Sequence, residues 1–284
     1  MSGRLSDTVA QALREAAALL ADISDTARLD AELLMAHALG VSRSDMLLRH
    51  QGSAAPDQFA ALAERRASHE PVAYLTGTQE FYGLTFRVNS DVLIPRGDSE
   101  SLIEAARTHF HDKAPARILD LGTGSGALLC AALHIWPAAH GMGIDASARA
   151  LDVAAANAKQ LGQTGRAQFR EASWRDDLRQ DGLGRFDLIL CNPPYVETEA
   201  PLEPGVRDWE PASALFAGED GLDDYKILIP QLRALMTDGG AAVLEIGASQ
   251  SRTVTALAQA AGFAVCLRRD LAERPRALLL TRGC

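Results

Sequence analysis

Hydrophobic and polar positions divide the chain into two stretches. Through about residue 80 the apolar residues recur at helical spacing. Leu13, Ala16, Ala17 and Leu20 form one stripe, and residues 30–39 repeat it through Leu33, Leu34 and Ala38, with Gly40 as a stop. A further helix fits residues 57–69, just after Pro56. Residues 80–88 alternate as a strand does, with Gly83 as a turn. Residues 92–100 read as a linker that ends in helix-capping chemistry. Asp98 or Ser99 can accept from the first amides of a helix running to about Phe110, which accounts for neither Arg96 nor Glu100. From Ala116 onward, short apolar runs alternate with amphipathic ones. Strands are expected at 117–121, 141–145, 167–171, 186–191, 241–246, 263–267 and 277–281, with helices at 126–134 and 147–160 between the early pairs. That alternation predicts an α/β fold with a parallel, doubly wound sheet, whose ligands sit beyond the strands' carboxyl ends at the topological switch point. The expected division is a helical domain over 1–80, a β-hairpin or linker over 81–98 and the sheet domain over 99–284, with 197–204 as a loop. The helical segment is either a recognition module or a cover for the core.

Two segments in the second stretch carry chemistry. Asp120-Leu121-Gly122-Thr123-Gly124-Ser125-Gly126 closes the first strand of the alternating region and opens a helix. Its glycines permit positive φ and let backbone amides approach a ligand, while the helix amino end adds partial positive charge. Nicotinamide and flavin folds use G-x-G-x-x-G, whereas this loop is G-x-G-x-G with an acid two residues ahead. Asp120 therefore suits a cofactor carrying an ammonium or sulfonium group. Asp145 ends the next strand, where a carboxylate can accept from a ribose diol; capping the helix near Ser147 is the simpler alternative. Ser173-Trp174 follows the third strand, and Trp174 either flanks an adenine ring or packs.

Asn192-Pro193-Pro194-Tyr195 comes directly after the strand at 186–191. Prolines 193 and 194 have no amide hydrogen, and each pushes the preceding residue into extended geometry. The segment thus offers acceptors, the Asn192 side-chain oxygen and nearby carbonyls, in a rigid array that suits a planar NH2 group.

Composition narrows the classes. With 284 residues and 47% apolar content the chain can bury a full core, and no apolar run reaches the roughly 18 to 20 residues that span a membrane. The first seven residues lack the apolar core of a signal peptide, so the cytoplasm is the expected address. A net charge of -9 argues against a broad nucleic-acid footprint, and the pairs Arg65-Arg66 and Arg268-Arg269 are expected to be solvated surface. Cys130, Cys191, Cys266 and Cys284 show no metal-ligand spacing, so free thiols and no metal site are expected.

Taken together, the 120–126 loop and the Asn-Pro-Pro-Tyr segment resemble S-adenosyl-L-methionine-dependent methyltransferases that modify a planar amino group. The wider pattern resembles the protein-(glutamine-N5) methyltransferases that act on peptide chain release factors, the PrmC/HemK family. It covers nearly the whole chain, through residues 27–34, 70–77, 93–96, 206–211 and 244–247. This chain departs from the family with Gly97 in place of a proline, Ser173 in place of an acid and Glu273 in place of a glycine. The resemblance implies a seven-stranded Rossmann-like methyltransferase domain behind a small helical substrate-recognition domain. It further implies cofactor contacts from Asp120, Gly122, Thr123, Gly124, Gly126, Asp145, Trp174 and Asn192. Substrate contacts would come from Arg96, Asn192, Pro193, Pro194 and Tyr195, with Asn192, Pro193 and Tyr195 acting in catalysis. The implied substrate is the glutamine of the Gly-Gly-Gln loop of a release factor, with no nucleic-acid or membrane partner. Tyr195 either stacks on the substrate or packs in the core. The same site would serve a ribosomal-protein glutamine methyltransferase or a DNA adenine-N6 methyltransferase, and a non-catalytic nucleotide-binding module is the rival from another class.

Overall fold

The structure is a computed structural model that describes residues 8–180, 182–270 and 272–283. The first seven residues and Cys284, on which the readings about a leader and a fourth thiol fall, lie outside the described residues. The chain divides into two compact units, Met1–Thr78 with Leu202–Trp209, and Gln79–Pro201 with Glu210–Cys284. It thus leaves the second unit for residues 202–209, which sequence pattern assigns to a loop and its aftermath, before returning at Glu210.

The first unit holds α1 (Val9–Leu20), α2 (Ala27–Leu39), α3 (Arg43–Arg49), α4 (Gln58–Ala67) and α5 (Val72–Thr76). Thr8 caps α1 through its hydroxyl, and Gly40 ends α2 at φ +67°, a left-handed stop that suits glycine. Leu13, Ala16 and Leu20 are buried as the helical stripe requires. α2 departs from the simple pattern. Leu33 faces solvent, while Asp30 and Glu32 are buried beside Ala31, Leu34 and Met35. Their charges are matched. The Asp30 carboxylate accepts from Ser24, Thr26 and Arg66 at 2.9, 2.9 and 2.8 Å, and Glu32 accepts from Arg28 and Arg43 at 2.6 and 2.8 Å. Arg65 donates to the buried Glu70 at 2.7 Å. The expectation of solvated surface holds for Arg65, which stays 54% exposed, and is corrected for Arg66, which is 14% exposed; each pairs with a buried carboxylate that would otherwise be costly to hold away from water.

Between α5 and the second unit's helices lies a hairpin, β1 (Thr78–Phe81) and β2 (Leu84–Arg87). Its two-residue turn puts Tyr82 at φ +53° and Gly83 at φ +73°, as a tight primed turn demands. The second unit continues with α6 (Glu100–His109), β3 (Arg117–Leu121), α7 (Ala127–Ile135), β4 (His140–Asp145), α8 (Ala148–Gln160), β5 (Ala167–Glu171) and β6 (Phe186–Cys191). After the short α9 (Pro204–Arg207) of the first unit come α10 (Asp223–Leu235), β7 (Met236–Glu245), α11 (Ser251–Ala260), β8 (Phe263–Arg269) and β9 (Pro275–Arg282).

Seven strands form one sheet in the order β5-β4-β3-β6-β7-β9-β8. Alternate residues feed two cores. Ile118, Leu188, Leu190 and Val243 pack with α6 and α7 on one face, and Leu119, Leu121, Ile189 and Leu244 pack with α10 and α11 on the other. The sheet is parallel except for β9, which runs antiparallel to both β7 and β8. The expected parallel sheet is thus mainly parallel, with one strand reversed. Five residues separate β8 from β9, too few for a crossover connection but enough for a hairpin. In that connection Glu273 holds φ +61°, so the position keeps a backbone that favours glycine although the glycine is gone.

The capping role expected of Asp98 and Ser99 is also corrected. Neither side chain caps α6. Asp98 is drawn to Arg276 of β9 at 2.8 Å, and the Ser99 hydroxyl donates to Glu245 at 2.5 Å. Glu100, unexplained by a cap, accepts from the Tyr82 amide at 2.8 Å and ties the hairpin turn to α6.

Candidate active site

β3 and β6 lie side by side in the sheet with Leu121 opposite Cys191. Strand order reverses between them, so the loops leaving both strands open at the switch point. A cavity of about 680 Å³ lies there, within the range of about 300–1,000 Å³ usual for small-molecule sites. The glycine loop, Asp145, Trp174, Arg96, Asn192 and Pro194 all line it.

The loop is built from below. The Thr123 hydroxyl donates to Asp120 Oδ2 at 2.6 Å. Asp120 itself is buried and does not line the cavity; burial raises its carboxyl to about 7 against the hydrogen bond from Thr123. Asn157 of α8 donates to the Ser125 carbonyl at 2.9 Å and holds both the amide and the carbonyl of Arg87. Gly122 and Gly126 have φ of +70° and +79°. A Cβ at Gly122 would meet the Trp174 ring at 3.0 Å, and one at Gly126 would meet Ala154 Cβ of α8 at 3.1 Å. Gly126 is thus a packing position against α8 and not part of the cavity wall.

Asp145 closes β4. Its Oδ2 accepts from the Gly124 amide and its Oδ1 from the Ser147 amide, both at 2.9 Å. Ser147 caps α8 with its own hydroxyl, so the cap does not need Asp145. Each carboxylate oxygen keeps a lone pair, as a diol acceptor requires. The Trp174 indole donates to Asp224 Oδ1 at 2.7 Å, which holds the ring plane beside Gly122. These parts fit a ligand with a flat ring, a vicinal diol and a chain running along the glycine loop.

Also lining the cavity, Asn192 donates through Nδ2 to Ser99 Oγ at 3.4 Å. Among the described residues its Oδ1 has no partner. Pro193 and Pro194 are buried, and only Pro194 of the two lines the cavity. Tyr195 does not line it: the ring packs on the α10 and α11 face of the core, and the hydroxyl donates to Glu245 Oε1 at 3.2 Å. Burial and the neighbouring Glu245 charge hold the phenol protonated. Arg96 is drawn to Glu210, whose other oxygen accepts from the Ile94 amide at 3.0 Å, so this buried acid fixes the linker along the cavity.

Glu245, Glu210, Asp224 and Asn157 are absent from the residues that sequence pattern nominates. Their partners lie 20 to 146 positions away for Glu245 and 114 to 116 for Glu210, so no local spacing points to them. One signal was available. Glu245 is an acid directly after the apolar run Ala241–Leu244, where a carboxylate needs a reason to be buried.

Residues 112–221 match a methyltransferase domain family, and 11–77 match the PrmC N-terminal domain. A solved methyltransferase from Pyrococcus furiosus shares the fold at 13% identity, with a TM-score of 0.51 over 71% of this chain and 90% of that one. The second unit is accordingly a methyltransferase domain. A release factor glutamine methyltransferase of Bradyrhizobium diazoefficiens is 40% identical over 98% of both chains, and one from Burkholderia pseudomallei is 42% identical over 88% of this chain and 90% of its own. The chain belongs to the release factor glutamine methyltransferase family.

Proposed function

We propose that this enzyme transfers a methyl group from S-adenosyl-L-methionine to the side-chain amide nitrogen (N5) of the glutamine in the Gly-Gly-Gln motif of a peptide chain release factor. The observation that carries the reading is the free Asn192 Oδ1, held at the switch point on the same cavity that Asp145 and Trp174 line. The cofactor fits the site: spare Asp145 lone pairs for the ribose, Trp174 beside the adenine, and the glycine loop along the remaining chain, which offers close approach and not amide donation because the Ile144 carbonyl holds the amides of Gly122 and Thr123 and Asp145 holds that of Gly124. When bound, it supplies a methyl on a positively charged sulfur.

The rest falls to orientation. A carboxamide nitrogen is a poor nucleophile because its lone pair is delocalised into the carbonyl. Asn192 Oδ1 accepts one amide hydrogen and the carbonyl of Pro193, which lies between two cavity-lining residues, accepts the other, and together they turn the nitrogen's remaining electron density toward the methyl donor. Positioning of this sort contributes about 7–11 kcal/mol in favourable cases. The proton shed by the methylated nitrogen passes to water, so no general base is required, and the buried Tyr195 stands behind the array, fastened to Glu245. Arg96, paired with Glu210, shapes the cavity edge where substrate enters. Asp120 and Gly126 act through the loop they support. The helical unit recognises the body of the release factor, a protein partner in the cytoplasm during translation termination, with no nucleic-acid or membrane partner. In the described residues no helix is long and apolar enough to cross a membrane.

Radiolabelled methyl transfer to release factor, to ribosomal protein and to DNA, run side by side, tests this. Label on the Gly-Gly-Gln glutamine is expected. Label only on ribosomal protein or DNA would replace the reading.

A further inference from the structure

We propose that Glu245, acting through Ser99, sets the direction in which the Asn192 amide points, and is a positioning residue for the methyl acceptor. The inference deepens the functional reading above and rests on it for the identity of that acceptor.

β6 and β7 pair with Cys191 opposite Leu244, which brings Glu245 level with Asn192 at the mouth of the sheet. Glu245 is 1% exposed, and both its oxygens are engaged: Oε2 accepts from the Ser99 hydroxyl at 2.5 Å and Oε1 from the Tyr195 hydroxyl at 3.2 Å. An ionised carboxylate has no proton to give, so both hydroxyls must donate to it. Ser99 has then spent its only hydrogen and can offer Asn192 nothing but a lone pair. The Asn192 group facing Ser99 must therefore be the NH2, at 3.4 Å, and Oδ1 is left as the free acceptor of a cavity-lining residue. A buried acid with no contact to the cavity thereby decides which end of an amide the substrate meets.

Protonation would reverse the logic. A neutral Glu245 can donate to Ser99, which frees the Ser99 hydrogen for Asn192 Oδ1 and turns the NH2 toward the cavity. The groups around Glu245 are Arg276 from β9, Asp98 and Ser99 ahead of α6, Tyr195 after β6, and the Tyr225 hydroxyl of α10, which donates to the Glu245 backbone carbonyl at 2.7 Å. Burial raises Glu245 to about 7, with Asp98 acting in the same sense and Ser99, Arg276 and Tyr195 opposing. Turnover is thus expected to fall as pH drops through about 7.

A double-mutant cycle reads the donor direction. In Glu245→Gln the amide faces one of the two hydroxyls with its NH2, so at nearly constant shape Ser99 is no longer compelled to donate to position 245. kcat should drop by about 10–100-fold, the scale of one misdirected buried hydrogen bond, while KM for S-adenosyl-L-methionine stays within about twofold and the acid limb disappears. Asn192→Asp puts two carboxylates on one hydroxyl and should lower both kcat and the melting temperature of the ligand-free protein. In the double variant the amide introduced at position 245 donates to Ser99, and Ser99 donates to the carboxylate introduced at position 192. The melting temperature should then recover toward wild type, and kcat should rise above that of Asn192→Asp alone. A Glu245→Gln kcat within twofold of wild type, or losses that add in the double variant, would overturn the proposal. The melting cycle needs no substrate. Coupled melting temperatures with no wild-type transfer to the glutamine would reject the functional reading and keep the relay; additive melting temperatures with normal wild-type transfer would reject the relay alone.

Discussion

Asp30, Glu32 and Glu70 in the helical unit are 5–6% exposed, and each accepts from an arginine. In the methyltransferase domain, Asp120 and Glu245 are each 1% exposed and accept from hydroxyl groups, with no guanidinium among the described residues bonded to either. The consequences run in opposite directions. Burial pushes Glu32 up, but the hydrogen bonds and charges of Arg28 and Arg43 outweigh it and leave the carboxyl lowered. Burial of Asp120 and Glu245 prevails over their partners, and both rise to about 7. Neutralised acids act as fasteners between helices. Acids whose side-chain partners are hydroxyls lie directly behind the cavity, where they hold the glycine loop and the Asn192 array in place.

The largest effect expected is on the array itself. Asn192→Ala should lower kcat by about 10²–10³-fold, the usual loss on deleting a positioned polar group at a reacting centre, while cofactor affinity by calorimetry stays near wild type. Near-normal turnover would remove Asn192 from the mechanism. In the helical unit, Asp30→Ala leaves Arg66 without its buried partner and should destabilise by about 2–3 kcal/mol in denaturant melts. A change under about 0.5 kcal/mol would make that pair no different from a surface one. Asp145→Ala should weaken cofactor binding by about tenfold or more through loss of a charged hydrogen-bond acceptor, with its effect on the acceptor's KM much smaller. Unchanged calorimetric affinity would end the ribose assignment.

The smallest effect tests the comparison most directly. Asp120 has a folded value raised above its unfolded one, so its contribution to stability is fully present below about 4 and is lost as pH rises through about 7. Asp120→Asn cannot ionise. Its melting temperature should therefore gain on wild type between pH 4 and pH 8, whereas Glu32→Gln, which removes a lowered carboxyl, should lose ground over acid-to-neutral pH. Parallel curves for the two variants would erase the distinction between arginine-paired and hydroxyl-paired acids.

Much of the domain is written locally. Strands such as β6 and β9 announce themselves as apolar runs, the glycine loop as a strand-to-helix turn, and Asn192 to Tyr195 as a segment that prolines hold extended. The departures lie where residues depend on distant partners. Leu33 belongs to the apolar stripe of α2 by spacing, yet it is exposed because Asp30 and Glu32 take the buried face with arginines from elsewhere in the unit. Asp98 and Ser99 have capping chemistry, yet Arg276 and Glu245 claim them across 178 and 146 positions. β9 is apolar enough for any strand of the sheet, and its direction depends on how far the chain must travel from β8.

By itself, then, the amino-acid sequence determined the α/β alternation, the switch-point loop and the acceptor-rich Asn-Pro-Pro-Tyr segment, because periodicity, glycine and proline act over a few residues. Tertiary structure alone decided that Asp120 and Gly126 stand behind the cavity, that Tyr195 packs, and that Glu245 lies within one hydroxyl of Asn192. Those are matters of which buried polar groups find partners, and a partner for a buried carboxylate is chosen by three-dimensional proximity and the cost of leaving it unsatisfied, neither of which has a period along the chain.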